Sequence, residues 1–137
     1  MESFAYAAPT TLDEALEILR ANQRRKVRTQ LLAGGTDMLV QMRTVDRAPR
    51  VIVDVKHLKE TNRLAVGAGE TFVGAAIPGV VLTADAKLNA RHPGLVEAVD
   101  LIGSSQIQGR ASLGGNLCNA SPAAIPFPRS SPMAAYV

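Results

Sequence analysis

Tryptophan is absent from this chain, aromatics make up only 4% of it, and cysteine occurs once, at position 118. Each shortage excludes something. One cysteine cannot build an intrachain disulfide framework or a cysteine-rich metal or iron–sulfur cage. So few aromatics leave no stacking platforms for single-stranded nucleic acid, and no nucleic-acid partner is expected. No apolar run approaches the roughly 18 residues of a membrane-spanning helix. The N-terminal "MESFAYAAPTTLDEA" lacks a basic start followed by a long apolar block, so no secretory signal is expected. Together with the single thiol, this points to a cytoplasmic location. Histidine is also scarce: His57 and His92 stand in polar surroundings and read as surface residues. Asp37, Asp54 and Asp85 have no metal-ligand spacing, no catalytic constellation stands out, and no residue is assigned a catalytic or metal-binding role. Any redox chemistry would then belong to a bound cofactor.

What is present is an ordinary globular composition, 47% hydrophobic and 20% charged over 137 residues, enough for one domain or two small lobes. The formal charge is +3, with part of the excess in "RANQRRKVR" at 20–28. That cluster reads as a solvated helix end whose cations suit the negative pole of the helix dipole. Leu12, Ala15, Leu16 and Leu19 recur at helical spacing, and Thr11 with Glu14 forms a capping box, predicting a helix over 12–22. A strand is expected over 29–33, a helix over 38–43, and a β-branched strand over 50–55. The stretch 64–84, rich in small residues, suits short strands broken at Pro78-Gly79. Leu95, Ala98, Val99 and Ile102 restore the helical period over 93–102. These elements divide the chain into a first lobe over 1–55, a polar boundary at 56–62, a second lobe over 63–124, and an aperiodic tail at 125–137.

Two glycine pairs carry the functional signal. "LLAGGTDML" runs an apolar strand into Gly34 and Gly35, followed by Thr36 and Asp37, and "SLGGNLCNASP" repeats the pair at Gly114 and Gly115. Successive amides in a tight turn make a concave anion site, and glycine removes the Cβ that would hold a phosphate away. Thr36 can donate its hydroxyl to a phosphate oxygen, while Asp37 suits a helix cap. The competing reading for either pair alone is a plain turn needing positive φ. Neither pair matches G-x-x-x-x-G-K-[ST], and Gly67, Gly69 and Gly74 miss the G-x-G-x-x-G spacing. Cys118, close to the second pair, reads as a small buried thiol.

"LLAGGTDMLVQMR" followed by "SSQIQGRASLGGNLCNASPAA" resembles the flavin-binding medium subunit of the molybdenum hydroxylases, the carbon monoxide dehydrogenase and xanthine dehydrogenase family. The likeness covers 4–124 and includes "FAYAAPTTLDEALEIL" and "LAVGAGET". It implies an α+β fold of the vanillyl-alcohol-oxidase/UDP-enolpyruvoylglucosamine-reductase (PCMH) type, with FAD between two small α/β lobes. The first would hold a small parallel sheet, and the second a mostly antiparallel sheet that is incomplete here. The resemblance assigns Ala33, Gly34, Gly35, Thr36 and Asp37 to the pyrophosphate loop. It assigns Ser112, Leu113, Gly114, Gly115 and Asn116 to a second loop along the FAD, with Asn119 and Thr71 nearby. It further implies electron relay from the iron–sulfur clusters of a small subunit, fed by a molybdenum-binding large subunit, through FAD to NAD or another acceptor. The chain departs from the family where Ile125 replaces an acidic residue and where "QIQG" at 106–109 replaces "QIRN". A truncated version of the subunit is the expectation from that tail. Two alternatives stay open: a flavin oxidase with catalysis of its own, and a non-catalytic remnant or interaction module that does not hold FAD alone.

Overall fold

The computed structural model describes residues 4–45 and 48–119. The tail at 125–137 and the substitution at Ile125 therefore lie outside the described residues. The fold is α+β, as expected. It begins with β1 (Ala5–Ala7), α1 (Leu12–Arg24), β2 (Thr29–Leu32), α2 (Met38–Thr44) and β3 (Val51–Asp54). The three strands form one parallel sheet in the order β1-β3-β2. Ile52 and Val53 at its centre are fully buried, as befits a parallel strand covered on both faces. Leu32, Ile52, Met38 and Met42 make the first core cluster, which fastens α2 to the sheet.

Both ends of α1 follow local chemistry. Thr11 Oγ1 accepts from the Glu14 amide at 3.3 Å, and Glu14 reaches back to the Thr10 amide at 3.0 Å. The capping box is thus made, with its return bond one residue earlier than the motif predicts. The helix runs past the expected residue 22 to Arg24 and closes through two bonds, Lys26 N to Gln23 O and Val27 N to Asn22 O. This closure needs a left-handed residue, and Lys26 supplies it at φ 55°.

The second half contains β4 (Leu64–Val66), β5 (Thr71–Val73), α3 (Gly79–Ala84), α4 (Ala86–Arg91), α5 (Pro93–Asp100), α6 (Ser105–Gln108) and α7 (Leu113–Asn119). β4 and β5 pair antiparallel, with Leu64 opposite Val73. Their inward residues pack on a second core of Ile77, Leu82, Leu88, Leu95, Val96, Val99 and Leu113. Two expectations are corrected here, and one helix appears that none foresaw. Residues 79–84 form helix rather than strand, because "GVVLTA" rolls Leu82 into the core and leaves Val80 and Val81 outside. The next helix, α4, had no apolar period to announce it and is started by Asp85, whose carboxylate accepts from the Leu88 amide at 2.7 Å. The second glycine stretch is not a loop: Gly114 and Gly115 lie in the first turn of α7.

The segment 56–62 is heavily bonded. Thr61 Oγ1 donates to Val55 O at 2.5 Å, Asn62 Nδ2 donates to Leu58 O at 3.0 Å, and the Ala76 amide donates to Thr61 O at 2.8 Å. A Cβ on Gly74 would stand 2.3 Å from Thr61 O, so the chain after β5 lies directly against this segment. The end of β3 and the end of β5 are thereby held to one another.

Candidate functional site

The first glycine loop leaves the carboxyl edge of the parallel sheet as β2 ends at Leu32. Gly35 sits at φ 82°, the left-handed region where a side chain is strained. Among the described residues, none accepts a hydrogen bond from the amides of 34–38. The carbonyls of Gly35 and Asp37 do find partners, accepting from Leu39 N at 3.1 Å and Gln41 N at 2.9 Å. A run of open donors beside spoken-for acceptors is an anion-seeking surface.

The two glycine pairs converge. A Cβ on Gly34 would stand 2.1 Å from the Arg110 carbonyl oxygen and 3.1 Å from Ala111 Cα. A Cβ on Gly115 would stand 4.0 Å from Ala33 Cβ. The four glycines do different work, however. The space at Gly34 is filled by the backbone of Arg110, and that at Gly114 by Ala75, whose Cβ would be 2.6 Å away. Those two glycines let chain segments touch. Gly115 is the less crowded member of the second pair: a Cβ there would press on Ser112 Oγ at 3.1 Å and then meet nothing nearer than Ala33 Cβ at 4.0 Å.

Around this junction, Ser112 is buried and its hydroxyl accepts from the Gly115 amide at 3.2 Å, which starts α7. Its carbonyl accepts from Asn116 Nδ2 at 3.0 Å, so the buried Asn116 side chain is anchored on the same turn. The Leu113 side chain packs in the second core. Asn119 Oδ1 accepts from Gln41 Nε2 at 2.9 Å, which ties α7 to α2. Asp37 stands at the N-cap of α2 but makes no side-chain cap bond and is exposed. Thr36 is half-buried in the loop. Thr71 lies at the turn end of the β4–β5 hairpin, opposite Val66, with its hydroxyl 2.9 Å from His92 Nε2. His92 is half-buried rather than a free surface residue, whereas His57 is exposed as expected. Cys118 is exposed, not buried, because α7 turns its Leu113 face inward.

One polar group beside the loop escaped the sequence reading. Asp54, only 2% exposed, ends β3 opposite Leu32. Its Oδ2 accepts from Tyr6 OH at 2.5 Å and Lys56 Nζ at 2.6 Å, and its Oδ1 accepts from the Lys56 amide at 2.9 Å. Burial pushes the Asp54 carboxyl up, but the Lys56 ammonium and the Tyr6 hydroxyl outweigh it and hold the group below its ordinary value. The same bond to Asp54, with burial and the carboxylate charge, raises the Tyr6 phenol. A carboxylate inside the apolar run "VIVDV" is the available signal. Among the described residues, no group of three metal-ligating side chains occurs, and no helix is long and apolar enough to cross a membrane.

A diphosphate-bearing cofactor suits this geometry: open amides at 34–38 supply donors on one side, and a helix turn that carries no side chain at Gly115 faces them on the other. Comparison with known proteins points the same way. Residues 2–133 match the family described as the FAD binding domain in molybdopterin dehydrogenase. The xanthine dehydrogenase FAD-binding subunit of Escherichia coli O157:H7 is 34% identical over 116 residues, covering 84% of this chain and 38% of that protein. The nicotinate dehydrogenase FAD-subunit of Eubacterium barkeri is 31% identical over 121 residues, covering 88% of this chain and 40% of that one. The chain thus spans about two fifths of the length of these relatives. A solved carbon monoxide dehydrogenase from Hydrogenophaga pseudoflava superposes with a TM-score of 0.78 at 27% identity, over 88% of this chain and 41% of that one. This chain belongs to the family of FAD-binding domains of molybdopterin dehydrogenases.

Proposed function

We propose that this chain binds FAD and serves as the electron-transferring flavin component of a molybdenum-containing hydroxylase or dehydrogenase. Its partners are a molybdenum-binding large subunit and an iron–sulfur small subunit, and its electrons leave to NAD or another acceptor. It works in the cytoplasm, where an exposed thiol such as Cys118 stays reduced. The chain divides functionally at 56–62, with the cofactor site shared between the parts on either side. The observation that carries this reading is the meeting of the two glycine stretches, open amides at 34–38 on one side and the first turn of α7 at Gly115 on the other.

Bound FAD supplies the capacity to take up and release electrons. The chain's own residues hold and orient it. The amides of Gly34 and Gly35 and the Thr36 hydroxyl donate toward the diphosphate. Ala33 walls the loop. Ser112 and Asn116 keep the first turn of α7 in place so that Gly115 presents bare backbone, and Asn119, through Gln41, holds α7 against α2.

The test is titration of the purified 137-residue chain with FAD, read by flavin fluorescence and visible absorbance. Saturable binding is expected, weakened about tenfold or more by Gly115→Ala, since a methyl group would occupy the space left for the ligand. A chain that gains no flavin signal under any condition in which it is folded would refute the reading.

A further inference from the structure

The carboxyl edge of the parallel sheet carries more than the glycine loop. Asp54 pairs with Leu32 in the ladder, and the Val55 amide donates to Leu32 O at 3.0 Å. Residues 33 and 55 therefore leave the same edge from neighbouring strands, whose spacing is about 4.8 Å, and Lys56 follows directly. Lys56 arrives there already fixed. Its amide and its ammonium both bond Asp54, and Tyr6 OH shares the same carboxylate oxygen as the ammonium. An ammonium has three donors, and this one commits one of them to Asp54. The Lys56 side chain keeps 24% of its surface exposed, while that of Asp54 keeps 3%.

Electrostatics gives the arrangement a purpose. The loop that should attract a diphosphate has an exposed carboxylate, Asp37, within it and a buried one, Asp54, at its base. Two negative charges at that edge oppose an anionic ligand. A cation held against the inner carboxylate cancels that charge and still has donors to offer.

We propose that Lys56 is a cationic contact for the diphosphate of the cofactor, with Asp54 and Tyr6 as positioning residues that keep its ammonium at the sheet edge. This rests on the FAD reading above. The anionic partner is recognised by its phosphates, so an uncharged flavin should not sense the change.

The experiment compares wild type, Lys56→Met, Lys56→Arg and the double variant Lys56→Met/Asp54→Asn, each as the full chain, for binding of FAD and of riboflavin at several salt concentrations. Lys56→Met is expected to weaken FAD binding about tenfold and flatten its salt dependence while leaving riboflavin binding unchanged. Lys56→Arg should retain most of the affinity. Should Lys56→Met unfold because Asp54 is left buried and unpaired, the double variant carries the test, with the same loss for FAD. FAD affinity and salt dependence unchanged in the double variant would overturn the assignment, as would an equal loss for riboflavin. A wild-type chain that binds no FAD would instead overturn the function itself, and this assignment with it.

Discussion

At the scale of single residues, the four glycines make the sharpest contrast. A methyl group on Gly34 must displace the Arg110 backbone, which sits 2.1 Å from the Cβ position. Gly34→Ala should therefore lower stability by about 3 kcal/mol in urea denaturation of the cofactor-free chain. Gly115→Ala faces one side-chain oxygen at 3.1 Å and gains helix propensity, so its stability should stay within about 1 kcal/mol of wild type. Equal losses in the two variants would contradict this division of roles. Asp54 provides a pH signature. Its folded value lies below the unfolded one, near 3.8, so its contribution is fully present above that pH and disappears as pH falls through the folded value. Acid unfolding followed by circular dichroism should lose this component in Asp54→Asn, whose stability should be flatter below about pH 4. Tyr6 acts oppositely: its raised value adds stability below about pH 10 that is lost as pH rises through the folded value.

At the scale of elements, α1 is built from local signals and should respond to them. Thr11→Ala removes the acceptor for the Glu14 amide and should cost about 1 kcal/mol. Lys26→Gly relieves the positive φ at the helix end and should stabilise by roughly 0.5–1 kcal/mol. Thermal denaturation of the two single variants, moving the midpoint in opposite directions, checks both. The same elements show how far local pattern reaches. α1, β2, α2, β3 and α5 all had a period or a β-branched run, and the structure places them within a few residues of expectation. β1 did not, because three residues, Ala5–Ala7, become a strand only by lying against β3. At α7 the sequence favours a loop because two glycines oppose helix by about 1 kcal/mol each. Helix prevails there because Leu113 docks in the second core and Ser112 caps the turn.

At the scale of the molecule, the two cores are joined by contacts that no local pattern contains. Gly74 lies against Thr61, Gly34 lies against Arg110, and Gln41 bonds Asn119. A side chain at 74 should part the first of these. Gly74→Val is expected to speed hydrogen exchange in β4 and β5 while the amides of β3 keep their protection. Uniform loss across both sheets would show instead that the cores unfold as one cooperative unit.

The sequence by itself determined the family, the cofactor class it implies, and the positions of both glycine stretches. These are carried by residue identity and order, which folding does not alter. The tertiary structure alone decided which glycines serve packing, that Leu113 belongs to a core, and that Thr71 pairs its hydroxyl with His92. It also revealed Tyr6, Asp54 and Lys56 as one bonded group, although Tyr6 and Asp54 are 48 residues apart. Such facts depend on distances between segments remote in the chain, and those distances are set only when the parallel sheet and the second core have formed.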